Sequence, residues 1–114
     1  MDLETIFHEQ EMFCRRLKQF PCEGQANKTK LSKEWVLCLV DEALEFLREL
    51  KWKSWRKVNK ELDRDAMVEE LIDIFKFWSN LCILWDITPD ELMQKFIAKT
   101  EKNYKRLADE FGEK

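Results

Sequence analysis

Two glycines and two prolines in 114 residues leave this chain few places to turn sharply. Sandwiches and barrels need turn residues at short, regular intervals, so the scarcity points to a few long helices instead. The apolar periodicity agrees. Leu3, Ile6, Phe7, Phe13 and Leu17 recur at spacings of three, four and their sums, which predicts an amphipathic first helix ending near Phe20-Pro21. Residues 21–31 are polar with one glycine and read as a loop. Ser32 is an N-cap candidate for a second helix from about Lys33 to Leu50. The basic segment Lys51–Leu62 reads as a loop or a short helical turn. Asp63 or Asp65 can cap a third helix that runs to about Trp85. Thr88-Pro89-Asp90-Glu91 joins a capping box to a proline at the first helical position and starts a fourth helix. That helix runs to about Glu110, with Gly112 just past it. The expected fold is all-α: a four-to-five-helix antiparallel bundle without strands, one domain over residues 1–114.

Composition narrows the chemistry. Hydrophobic residues make up 45% and charged residues 38%, enough apolar material for a core and no signature of disorder. A net charge of −3 gives no overall basic field, so nucleic acid is a poor partner. The four cysteines (Cys14, Cys22, Cys38, Cys82) form no CxxC pair, and His8 is the one histidine. A Cys/His zinc site lacks its ligands, and a Ser-His-Asp triad could be built only around His8. No stretch approaches the roughly 20 apolar residues of a membrane span, and the N-terminus has no apolar signal core. The expected setting is a reduced cytoplasm. What remains as reactive material is carboxylate.

Residues three apart lie nearly above one another on a helix. Glu42 and Glu45 have that spacing on the second helix, and Glu70 and Asp73 have it on the third. Glu42 shares its face with Trp35, Cys38 and Phe46; Glu70 shares its face with Ile74, Phe77 and Leu81. Acidic i,i+3 pairs are common on solvated faces, and one alone would mean little. Two matched pairs on apolar faces of consecutive helices are different, because buried unpaired carboxylates demand a compensating cation. Four carboxylates from two antiparallel helices make an all-oxygen cage suited to Mg²⁺ or Mn²⁺ rather than zinc. Di-iron bundles use Glu-x-x-His ligands, which one histidine cannot supply.

These residues carry a resemblance. Asp41-Glu42-Ala43-Leu44-Glu45, followed after 24 residues by Glu70-Leu71-Ile72-Asp73, resembles the signature of the all-α nucleoside triphosphate pyrophosphatases, which include the dimeric dUTPases and the MazG-type enzymes. Trp52-Lys53-Ser54-Trp55 is similar to the FKxW stretch of dimeric dUTPases, and Lys99, Asn103 and Arg106 fit the family's K-x-x-x-N-x-x-R pattern. Gln10, after Ile6-Phe7, resembles the early glutamine that lies near the base in that family. Arg48 departs from the pattern, standing where dimeric dUTPases often carry asparagine. The resemblance implies a Mg²⁺-dependent (or Mn²⁺-dependent) pyrophosphatase that releases a nucleoside monophosphate and pyrophosphate. Glu42, Glu45, Glu70 and Asp73 would hold metal, and Glu42 or Glu45 would activate water. Gln10, Trp52, Lys53, Trp55, Lys99, Asn103 and Arg106 would bind substrate. dUTP is the preferred substrate; a broader house-cleaning activity on nucleoside triphosphates is the alternative within the superfamily.

The residues support this reading from a second side. Lys95, Lys99, Lys102, Asn103 and Arg106 fall within one stripe of the fourth helix, and a cationic stripe beside an acidic metal site suits a polyphosphate. Trp52 and Trp55 sit in a charged connector that cannot easily bury both, which points to a subunit interface or a base pocket. Helices two and three are apolar around most of their circumference: Leu37, Val40, Leu44 and Leu47 lie opposite the carboxylates of one, Ile72, Phe75 and Cys82 opposite those of the other. Four short helices cannot cover such surfaces on every side, so the bundle is expected to be completed by oligomerisation, as a homodimer or a tetramer of two dimers. The reading from another class is a non-enzymatic helical dimerisation module whose acidic residues pair with Lys51–Lys60.

Overall fold

The computed structural model describes residues 1–56 and 61–112. Its elements are four helices: α1 (Leu3–Arg16), α2 (Gln25–Glu49), α3 (Arg64–Leu84) and α4 (Pro89–Phe111). Among the described residues there is no strand, and the class is the all-α one expected. Three of the starts are written in side-chain oxygens. Asp2 accepts from the Thr5 N–H at 2.9 Å, Asp63 from Ala66 at 3.1 Å and Thr88 from Glu91 at 3.2 Å, each satisfying a donor that has no partner inside its helix.

Two boundaries differ from expectation. Helix α1 stops at Arg16 rather than near Phe20, because Lys18 enters the left-handed region (φ 61°). The Lys18 N–H then bonds the Arg15 carbonyl and the Gln19 N–H the Cys14 carbonyl, a Schellman closure made without glycine. Helix α2 begins at Gln25, eight residues before the expected Lys33, so most of the anticipated 21–31 loop is helical. Gly24 (φ 85°) stands at its start, and Ser32 is not a cap. The polar first turns are held by α3's end instead. The Trp85 indole N–H donates to Ser32 Oγ at 2.8 Å, Lys28 lies over the Trp85 ring and reaches Asp86 at 3.5 Å, and Leu31 packs on the core.

Pairings fix the directions. Glu42 lies beside Glu70 and Trp35 packs with Leu84, so α2 and α3 are antiparallel; Phe7 meets Trp78 and Gln10 meets Asn80, so α1 runs parallel to α3. The innermost cluster is Cys14, Trp35 and Leu84, with Phe20, Cys22, Leu31, Phe77 and Leu81 around it. Burial, followed by the Glu11 charge, pushes the Cys14 thiol up to about 11, so it behaves as a small apolar group rather than a nucleophile. This core is small. Helix α4 contributes no buried residue and makes no substantial packing with the other helices. The radius of gyration is accordingly 18.3 Å, against about 13 Å for a compact chain of this size.

Lys18 occupies a backbone region that costs an L-residue about 1 kcal/mol or more and costs glycine almost nothing. Lys18→Gly is therefore expected to raise stability by about 0.5–1 kcal/mol in urea denaturation with an unchanged slope. A loss of stability would show that the Lys18 side chain contributes more than its backbone costs.

Candidate active site

The α2–α3 seam brings three of the four singled-out carboxylates together. Glu42, Glu70 and Asp73 each place an oxygen within 4.8 Å of the others, and all three are half-buried. One oxygen of Glu70 is buried and has no hydrogen-bond partner. An orphaned anionic acceptor in this position is unfavourable by more than a lost neutral hydrogen bond. The strain shows on Glu42: burial first, then contact with the Glu70 carboxyl and the charges of Asp73, Glu70 and Asp41, push its pKa up to about 7.

Glu45 stands apart. It sits one turn beyond Glu42, and its carboxylate accepts from Arg48 at 2.7 Å on an exposed flank of α2. The cluster thus has three members rather than four, and Glu45 already has a cation.

Beside the carboxylates a cavity of about 510 Å³ opens between α1, α2 and α3. Glu42 and Asp73 line it together with Trp35, Cys38, Phe77, Lys76, Phe13 and Leu17. Gln10 and Asn80 also line it, both buried, and the Gln10 side-chain amide donates to the Asn80 carbonyl oxygen at 3.0 Å. The site therefore has an anionic part, aromatic walls and a paired-amide part, which is the mix of polar anchors and apolar lining that small-molecule sites use. Asn80 and Lys76 escaped the sequence reading. The signal was present: Asp73, Lys76, Phe77 and Asn80 follow helical spacing, and an asparagine inside an apolar helix needs a buried partner.

The remaining sequence candidates lie elsewhere. Trp52 and Trp55 pack edge to face at 5.9 Å in the connector after α2, with Lys53 over Trp52; none of the three lines the cavity. Lys57 and Lys60 of that connector lie outside the described residues. Lys99, Asn103 and Arg106 are on α4, away from the seam, where Lys99 and Asn103 border a shallow surface with Leu92 and Phe96.

A family model described as dUTPase matches residues 2–88. The chain belongs to the all-α dUTPase family. The match takes in Gln10, the acidic seam and the connector, and it ends one residue before α4. No curated protein and no solved structure matches the chain. As a dUTPase-family chain it is a member of a nucleotide-hydrolase family, and no helix among its described residues is long and apolar enough to cross a membrane.

The raised Glu42 pKa makes a measurable link to stability. The folded protein keeps this proton up to about pH 7, whereas the unfolded chain releases it near the ordinary value of 4.5. The native state thus binds more protons between those values, and its stability falls as pH rises through that window. In chelator, Glu42→Gln should melt at a nearly constant temperature from pH 5 to 8, while the parent loses several degrees relative to it. Parallel melting curves for the two proteins across that range would show that Glu42 is not held protonated.

Proposed function

We propose that the protein is a Mg²⁺-dependent pyrophosphatase that hydrolyses dUTP to dUMP and pyrophosphate, and that it works as a homodimer in the cytoplasm. The observation that carries this reading is the unpartnered buried Glu70 oxygen within a three-carboxylate cluster that adjoins a nucleoside-sized cavity. The donor set fits a hard divalent ion: carboxylate oxygens only, drawn from two rigid helices. Glu42, Glu70 and Asp73 would hold such an ion, each offering an oxygen within 4.8 Å of the others. A bound divalent ion neutralises phosphate charge and makes water more acidic.

The chain's own groups supply the rest. Glu45 lies outside the three-residue cluster, which leaves it to accept a proton from the attacking water once Arg48 turns away. Water oxygen then bonds the α-phosphorus, the bond from that phosphorus to the α–β bridging oxygen breaks, and pyrophosphate leaves. At the other end, Trp35 and Phe77 offer aromatic walls to a base. The Gln10–Asn80 hydrogen bond leaves a Gln10 carbonyl oxygen and Asn80 N–H groups unused, a donor and an acceptor side by side. Uracil's imide edge, an N–H flanked by carbonyls, is complementary to that pattern. Cytosine presents the reverse order, an acceptor at N3 and an amino donor at C4, so a cytosine in the same place would leave both amides unpaired.

Two variants test the two ends. Glu70→Gln removes charge and little volume; helix content by circular dichroism should be retained while pyrophosphate release from dUTP falls by about 100-fold or more, and the Mg²⁺-induced rise in Tm should disappear. Retained activity would place hydrolysis elsewhere. Asn80→Ala should lower the ratio of kcat/KM for dUTP over dCTP by about 10-fold or more, because discrimination rests on the group that one base satisfies and the other leaves unpaired. An unchanged ratio, with activity lowered on both, would remove Asn80 from base reading.

A further inference from the structure

Arg48 is anchored at a fixed helix end and reaches back toward the seam. It lies in the last turn of α2, where the Leu50 N–H bonds the Leu47 carbonyl and the Lys51 N–H bonds the Arg48 carbonyl, with Lys51 left-handed (φ 50°). A helical side chain slants toward the N-terminus of its own helix. The Arg48 guanidinium accordingly donates to Glu45 at 2.7 Å, one turn beyond Glu42. The pair is loosely held. Its side chains are 57% and 46% exposed, and water screens an ion pair in such a setting. A guanidinium is a planar fork of donors, and a polyphosphate offers that fork paired oxygens and more charge than one carboxylate does.

The antiparallel register places this arm. Trp35 and Cys38 on α2, with Phe77 and Asn80 on α3, line the cavity to one side of the Glu42, Glu70 and Asp73 cluster. Glu45 and Arg48 follow Glu42 on the other side, and neither lines the cavity. A nucleotide with its base in the cavity and its α-phosphate at the carboxylates still has its β- and γ-phosphates to place. Turned back, they would meet aromatic walls. Carried onward, they reach the level of Glu45, about 5 Å further along α2, where the head of Arg48 stands. The cations of α4 are not there: that helix makes no substantial packing with the others, and Lys99 and Arg106 face away from its exposed apolar residues Met93, Phe96 and Ile97.

We propose that Arg48 is the leaving-group residue of this site: the incoming β- and γ-phosphates draw it off Glu45, which delivers the guanidinium to pyrophosphate and frees Glu45 to take the water proton. One movement sets both ends of the displacement. Water gives a proton to Glu45 and its oxygen bonds the α-phosphorus. The electron pair of the broken bond leaves on pyrophosphate, where the Arg48 guanidinium meets the added charge. A monophosphate has no group at that level, so it leaves Arg48 on Glu45. The proposal rests on the nucleotide-hydrolase reading of the acidic seam.

Binding of Mg²⁺-pyrophosphate, followed by titration calorimetry, tests it without turnover. Arg48→Gln should weaken pyrophosphate by about 10-fold or more and leave dUMP within about twofold. Arg48→Lys, which keeps the charge and loses the fork, should fall between the parent and Arg48→Gln. Equal losses for pyrophosphate and dUMP, or none for either, would overturn the assignment, because a charge that serves only the end of α2 cannot tell one ligand from the other. Glu45→Gln tests the exchange itself. Removing the competing carboxylate should tighten pyrophosphate a few-fold in the parent background and not in the Arg48→Gln background. A gain of the same size in both backgrounds, or a loss, would overturn it. Pyrophosphate binding that depends on Arg48, in a parent protein that hydrolyses no nucleotide, would leave the exchange standing and remove the proposed function. Hydrolysis of dUTP with pyrophosphate binding indifferent to Arg48 would do the reverse.

Discussion

Carboxylates drawn out of water are among the costliest groups a small helical protein can hold; three half-buried ones share one seam here, and one oxygen of Glu70 has no donor at all. The seam is also the main packing surface of the molecule, since α2 and α3 form its principal pair. Apolar contact around Trp35 and Leu84 secures one end of that pair, and the carboxylates load the other with repulsion, which Glu42 relieves by keeping its proton. Replacing such a group by well-packed apolar residues generally stabilises a fold. A chain that keeps the charges therefore holds a seam loaded with repulsion, and the elevated Glu42 pKa follows from it, beside a Glu70 oxygen left without a partner.

How much of this could be read from the residues depended on whether the local signal was a side chain or a tertiary contact. Asp63 and Thr88-Pro89 mark their helix starts chemically, and the structure places caps at Asp63 and Thr88. The end of α1 carries no such mark: Lys18 takes the left-handed position that glycine usually fills, and lysine gives no hint of it in sequence. The start of α2 is hidden for another reason. Gln25–Lys30 has no apolar periodicity, and its helix is held by Lys28, Leu31 and Ser32 meeting the end of α3, contacts that only the folded chain creates. The acidic seam was legible because period and polarity disagreed at Glu42, Glu70 and Asp73. The removal of Glu45 from that group was not, since Arg48 draws it aside through a rotamer rather than through a pattern.

Asn80 shows how the same rule that revealed the seam could have reached the other end of the cavity. It lies seven residues, about two turns, beyond Asp73 and on the same face, among Phe77, Leu81 and Leu84. An amide among such neighbours must find a partner, and Gln10, also buried, is that partner. The pair gives α1 its polar anchor on α3, while Phe7 against Trp78 gives the apolar one. Fold and site are thus joined at one hydrogen bond. A base that engaged both amides would meet groups already fixed by packing, which limits the ordering cost of recognition.

The separation of anions from cations is the remaining constraint. A lysine one turn from a seam carboxylate competes with any cation that enters, and α3 carries one such residue, Lys76, on the cavity wall with Asp73. Arg48 does this to Glu45 already, at 2.7 Å. Lys99 and Arg106 are carried on a helix of their own, α4, which makes no substantial packing with α1–α3. Such an arrangement requires a helix whose direction is fixed and whose apolar face is kept from its own bundle. The turn at Asp86, closed by two backbone hydrogen bonds and held to α2 by Lys28 and Ser32, supplies both.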